Sequence, residues 1–421
     1  SDNEGQKFTF DLDPPEIQNA VISSVKSAPF NQSYPHYAKE DDVITISITT
    51  DQNISAVSGQ IQDFSISAGG TGTPSPTAAV QVTSAYNNGS VTFVIDLIDE
   101  NGNALSSPLT QPSPSTSSVI IDTQSPSFTC GECYVTMKTT PDNDYYAKSG
   151  DNVILELQAS ETLVQGDFDD DGDDDDSYLV FDIGNETNVT VTPSVSGTTG
   201  SQSSYFSATL TLDDTRATHG SNVSFLISGV YDRAGNTTSD ASTTSDDNYV
   251  YYDSVLPTIE SVEFTEAPSN ANDDPIFATS GNNIVLNFQT SELVQDPPAV
   301  TFVSDEGGTS YNGTVTQGSD GVLFWDASLG ITEGIDEGTL NFSISIEDLS
   351  SNVIAAPETA LDDENTRITI DYTDPEIQAL GIVSSSETSF AKSGEAVTVT
   401  LQAKLDLRVA DGVSGTIGGI S

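Results

Sequence analysis

Acidic side chains are the residues of this chain best placed to do chemistry. Residues 166–177 read GDFDDDGDDDDS, with Asp167, Asp169, Asp171, Asp173 and Asp175 at alternate positions and Gly172 among them. Alternating carboxylates around a glycine bend give the ligand spacing of a calcium loop. The closing position of such a loop takes a bidentate Glu, but Tyr178 stands there, so Asp176 or Asp182 must supply the last ligand. A merely solvated acidic loop is the competing reading.

Other reactive groups are scarce: the chain has two Cys, two His, one Met and one Trp. Cys130 and Cys133 form a C-x-x-C at the start of a strand-like run. Redox chemistry of the thioredoxin kind needs that motif to open a helix, and a zinc site needs two more soft ligands. A small local disulfide is therefore expected, with free thiols as the alternative. His36 and His219 lie beside loops, and Trp325 reads as a core residue rather than a sugar platform. No nucleophile elbow, H-E-x-x-H or phosphate loop occurs, so no enzyme activity is expected. Nine Asn-x-Ser/Thr sequons, at Asn31, Asn53, Asn88, Asn185, Asn188, Asn222, Asn236, Asn312 and Asn341, are candidate N-glycosylation sites. Covalent glycans are accordingly expected beside calcium.

The elements that position these groups follow from composition and repetition. The 421 residues carry 64 Asp+Glu against 11 Lys+Arg, a formal net charge of -53. Such a surface repels nucleic acid and anionic membranes, and no apolar run is long enough to insert into a bilayer. Hydrophobic residues at 35% still suffice for a core. Two landmarks recur four times, about every 110–130 residues, which marks a tandem repeat. One is a strand-like run followed by Asp and, four residues on, Pro: Asp11/Pro15, Asp122/Pro126, Asp253/Pro257 and Asp371/Pro375. The other reads YAKEDDVI, YAKSGDNV, FATSGNNI and FAKSGEAV, anchored on Ala38, Ala147, Ala278 and Ala391. Alternating apolar residues and polar turns such as DENGN, DRAGN and DLSSN predict β-sandwiches.

With the aromatic-x-Ala pairs Phe206/Ala208 and Trp325/Ala327, this order resembles the tandem immunoglobulin-like repeats of giant microbial cell-surface adhesins and extracellular fibre proteins. The resemblance covers about residues 10–421. It implies an all-β chain of tandem immunoglobulin-like β-sandwich repeats in an elongated array, with open partial repeats at both ends. The boundaries are 1–13 (the last strand of a neighbouring repeat), 14–123, 124–256 with the Asp-rich insertion, 257–373, and 374–421 (a partial repeat). Repeat one departs from the pattern, with Glu40-Asp41 for Ser-Gly and Asp51-Gln52 for Ser-Glu.

The immunoglobulin-like topology implies convergence of distant carboxylates where one repeat enters the next. The expected sets are Asp122, Glu161, Asp232 and Asn236; then Asp253, Glu292, Asp348 and Asn352; and, before repeat one, Asp11 or Asp13 with Asp51 and Asp99. Hard oxygen ligands favour Ca²⁺. Turn shaping by Asp and Asn is the alternative. The functional expectation is an extracellular structural protein of a cell-surface fibre or filament, stiffened by calcium. Its expected partner is itself, either as a longer repeat chain or head to tail by strand complementation. An adhesin module binding glycan or a receptor, and an accessory region of a secreted hydrolase, are the rival readings.

Overall fold

The computed structural model describes residues 10–25, 35–113, 116–140, 145–164, 179–193, 203–266, 276–362, 367–374, 376–386 and 390–404. Residues 167–175 of the acidic loop and Asn31 lie outside the described residues. Every regular element among those described is a β-strand. The chain divides into two compact units, Ser1–Val255 and Leu256–Ser421.

The first unit holds two sandwiches with separate cores, one running from Ala20 to Ile121 and one from Val135 to Tyr252. In the second sandwich, Asn152–Leu163 lies between Tyr134–Thr140 and Ser203–Thr211, with Val191–Pro193 at the edge. The alternation read from sequence explains the packing. Val153, Leu155, Leu157, Phe206 and Ala208 all turn inward, with Leu157 opposite Phe206 and Leu155 opposite Ala208. Large therefore meets large and small admits its neighbour, each large apolar side chain gaining about 1.5–3 kcal/mol by burial. Val180–Ile183 sits between Glu186–Val189 and Phe225–Ser228, while Tyr251–Tyr252 lies between Tyr146–Ala147 and Ser221–Asn222. The first sandwich repeats this plan, with Ile17–Val25, Val43–Thr50, Thr77–Gln81 and Ser67–Gly69 in its four-stranded sheet.

The second unit has one core, from Val262 to Ile370, between a four-stranded and a five-stranded sheet. Trp325 is half-buried against that core, opposite Phe288. An antiparallel pair, Ile377–Ser384 with Val397–Ala403, follows it. Its apolar residues remain open to solvent, among them Ile377, Leu380 and Ile382 at 62%, 68% and 63% exposure.

The two landmarks keep step because they touch. Ala38, Ala147 and Ala278 are fully buried, and each lies in a short strand parallel to the closing strand of its own sandwich. In each case the landmark Asp donates its backbone N–H to the landmark Ala carbonyl, at 2.9 Å for Asp122–Ala38, 2.8 Å for Asp253–Ala147 and 2.9 Å for Asp371–Ala278. The Ser-Gly turn after the Ala also has a geometric cause. Gly150, Gly281 and Gly394 have φ of 96°, 92° and 92°, and Asp41 occupies the same left-handed position with φ of 72°. Repeat one keeps the turn with a residue that strains to make it.

Candidate metal centre

The turn after the late strand of each sandwich is built around one buried aspartate. Asp99, Asp232 and Asp348 are each 1% exposed. Asp232 accepts from the Asn236 backbone N–H at 2.9 Å and from its Nδ2 at 2.8 Å. Asn103 binds Asp99 the same way at 2.7 and 2.8 Å, and Asn352 binds Asp348 at 2.8 Å twice. The D-x-x-x-N spacing is thus first a turn device. Asn236 also donates Nδ2 to the Asp122 carbonyl at 3.0 Å, tying the turn of the second sandwich to the exit of the first. An amide doing both jobs is a poor glycan acceptor.

The exit aspartates likewise begin as turn formers. Asp11, Asp122, Asp253 and Asp371 each accept the backbone N–H two residues on, at 3.1, 3.1, 3.0 and 3.0 Å. At Asp122 this uses Oδ1, which also takes the Asn88 Nδ2 at 3.3 Å.

Glu161 completes the centre through a break in strand register. The pairing of Asn152–Leu163 with its neighbour shifts between Gln158 and Leu163, after which Leu163 bridges Asp232. Val164 N–H then bonds the Tyr231 carbonyl at 2.9 Å. The strand end is carried onto the turn, and Asp122, Glu161 and Asp232 place ligand oxygens within 4.8 Å of one another. Desolvation, then the charges of Asp232 and Asp122, push the Glu161 carboxyl up to about 7. Burial also raises Asp232, against the lowering hydrogen bonds of Asn236 and with a further push from Asp122. Asp99 sits in the same turn with the opposite outcome. Burial pushes it up, but the Asn103 and neighbouring hydrogen bonds prevail and hold it low.

In the first sandwich a glutamine stands at the position of Glu161. Ile54 pairs with Asp99 as Leu163 bridges Asp232, so Gln52 is the counterpart of Glu161. Asp51, expected in a ligand set with Asp11 and Asp99, has another task. Its carboxylate accepts the Glu16 N–H at 2.8 Å, as the hydroxyls of Ser160 and Ser291 accept from Ser127 and Thr258, each at 2.9 Å. In the set before the first sandwich, Asp51 thus caps the start of a strand, and the carboxylate groups brought within 4.8 Å among the described residues do not include Asp11, Asp51 and Asp99. Sequence alignment alone signalled this, since Asp51 falls under Ser160 and Gln52 under Glu161.

Asp253 belongs to the first unit, with Glu292, Asp348 and Asn352 in the second. Within the first unit, Asp253 Oδ1 lies 3.1 Å from His219 Nδ1, a pairing of residues far apart in sequence that no motif announces. Cys130 and Cys133 are joined in a disulfide before the Tyr134–Thr140 strand, which removes the free-thiol alternative.

The donor set of Asp122, Glu161 and Asp232 is hard oxygen only, with no soft ligand among the three. Carboxylates gathered this closely fit a divalent cation, which would relieve the charge that the fold concentrates there.

No family model matches this chain, and no curated protein does. Solved structures with a similar arrangement include a piece of a 1.5-MDa bacterial ice-binding adhesin, 12% identical with a TM-score of 0.38, covering 86% of this chain and 100% of that one. A tetra-tandem repeat from the extending region of a large adhesion protein is 14% identical with a TM-score of 0.29, covering 94% and 93%. The four-domain ICAM-5 fragment is 11% identical with a TM-score of 0.30, covering 87% and 79%.

Proposed function

We propose that this chain is a structural segment of an extracellular adhesin or surface fibre, whose neighbouring sandwiches are locked by calcium. The observation that carries the reading is the meeting of Asp122, Glu161 and Asp232 at the passage from the first sandwich to the second. Asp122 comes from the exit of one sandwich, and Glu161 and Asp232 come from the next. A cation held by all three draws the two together, and its loss leaves like charges facing one another. Calcium would supply charge neutralisation and oxygen coordination here, with no chemical turnover. The same residue types recur in sequence at Asp253, Glu292, Asp348 and Asn352, and the spaced aspartates of residues 167–175 add a candidate calcium loop.

No helix among the described residues is long and apolar enough to cross a membrane. The strongly acidic surface speaks for partners other than nucleic acid. Glycans on exposed sequons belong to the same reading. So does strand complementation: Phe10 and Leu12, 88% and 80% exposed, carry the closing-strand landmark, and the Ile377–Ser384 pair leaves its apolar residues uncovered. A segment with that landmark, from a second copy or from more of the same chain, would be the natural cover.

The test is calorimetric titration of calcium chloride into chelator-treated protein, with thermal melting in parallel. Saturable binding and a raised midpoint are expected. Absence of both heat and midpoint shift would refute the calcium lock.

A further inference from the structure

The second sandwich presents an outer face that the carboxylate cluster does not use. Its edge strand Ser221–Asn222 pairs antiparallel with Tyr251–Tyr252, Asn222 standing opposite Tyr251. Beyond that pair, Val223 N–H donates to the Val250 carbonyl at 2.7 Å. Val223, Val250 and Tyr252 are buried, so the alternation of a strand sends Asn222, Ser224, Tyr249 and Tyr251 to the outside. Tyr249 is 56% exposed. Tyr251 meets Tyr146 of the adjoining strand edge to face, with ring centroids 6.0 Å apart. A tyrosine shelf therefore runs beside the sequon Asn222-Val223-Ser224.

A groove of about 270 Å³ opens at this place, with Met137, Asn222, Ser224, Phe225, Asp247 and Tyr249 on its walls. That is close to the smallest size typical of ligand sites, about 300 Å³. Its chemistry is that of a sugar seat. An aromatic ring face attracts the C–H face of a pyranose, while hydroxyl, amide and carboxylate groups meet the sugar's hydroxyls.

The sequons differ in what their amides already do. Asn53 donates Nδ2 to Glu100 at 3.3 Å, Asn88 to Asp122 at 3.3 Å, Asn185 to the Thr215 carbonyl at 3.0 Å and Asn236 to the Asp122 carbonyl at 3.0 Å. Asn222 is exposed and makes no such bond, so substitution at its nitrogen disturbs nothing in the fold.

We propose that Asn222 carries an N-linked glycan whose first pyranose seats on Tyr249 in this groove. The proposal rests on the glycoprotein reading above and names where one glycan does structural work. Attachment forms a bond from Nδ2 to the sugar C1 and breaks the C1–O bond of a glycosyl pyrophosphate donor. The Nδ2 proton leaves with the released pyrophosphate, in a reaction run by a separate transferase.

The experiment uses the chain produced in a glycosylating host, with glycosidase-treated peptides read by mass spectrometry. Asn222 is expected to be occupied. N222Q should lower the melting midpoint of the second sandwich by about 2–5 °C. In the background of Tyr249→Ser the same change should have no effect, whereas Tyr249→Phe should preserve it. Protein from a host without N-glycosylation should be insensitive to N222Q. A bare Asn222 with other sequons occupied overturns this seat and leaves the glycoprotein reading standing, while uniformly bare sequons overturn both. An N222Q effect that persists in Tyr249→Ser, or in unglycosylated protein, also overturns the seat.

Discussion

Glu161→Gln separates a calcium centre from a turn that merely happens to be acidic. The substitution keeps the size and polarity of the side chain and removes one charge from a group of three within 4.8 Å. At that distance a like-charge pair costs about 0.9 kcal/mol in water-like surroundings and about 3.5 kcal/mol at an effective dielectric of ~20. Glu161 takes part in two such pairs but is partly exposed, so the screened end of the range applies. In chelator at pH 8 the variant should be more stable by about 1–2 kcal/mol, raising the midpoint of the second sandwich by about 3–8 °C. Calcium should offset most of its advantage. At a hundred times Kd a ligand stabilises by about 2.7 kcal/mol, and a tenfold loss of affinity cuts that to about 1.4 kcal/mol. The assay is differential scanning calorimetry of both proteins in chelator and in calcium, with the calcium-induced rise as the readout. A variant that melts lower in chelator, or that keeps the full calcium-induced rise, would refute the electrostatic reasoning.

Asp41→Gly should stabilise the first sandwich by about 0.5–1 kcal/mol, because glycine takes a φ of 72° without strain; a lowered midpoint on thermal melting would show that the Asp41 side chain outweighs its backbone cost. Phe206→Ala should destabilise the second sandwich by about 3–5 kcal/mol through the cavity it leaves in a fully buried site. The lone Trp325, packed on the third core, provides the control: its fluorescence transition should stay in place while the calorimetric peak of the second sandwich moves. Calcium-free protein should lose stability as pH rises from about 4.5 towards about 7, because the folded state holds a proton on Glu161 that the unfolded chain has released. Melting across that range should flatten when calcium is added, and a rise in calcium-free stability over the same window would contradict the assignment.

Alternation and turn chemistry made the architecture legible before any coordinates. Val153, Leu155 and Leu157 declare one buried face by their period of two, and the glycines of the AKSG and FATSG turns declare a left-handed backbone. Both are local properties, fixed by neighbours within a few residues. The cysteine pair was legible for the same reason, since three residues of separation leave few alternatives.

Register is a different matter, because hydrogen bonding between strands distant in sequence sets it. The sequence alone established the all-β repeat, the recurrent Asp and Ala landmarks and the supply of carboxylates. Only the tertiary structure showed that the two landmarks are the two ends of one hydrogen bond. It alone put the shift between Gln158 and Leu163 that brings Glu161 to Asp232. The tyrosine shelf beside Asn222 was hidden for the same physical reason. Its members come from strands separated by up to about a hundred residues, and a one-residue slip in their pairing would have turned those rings into the core.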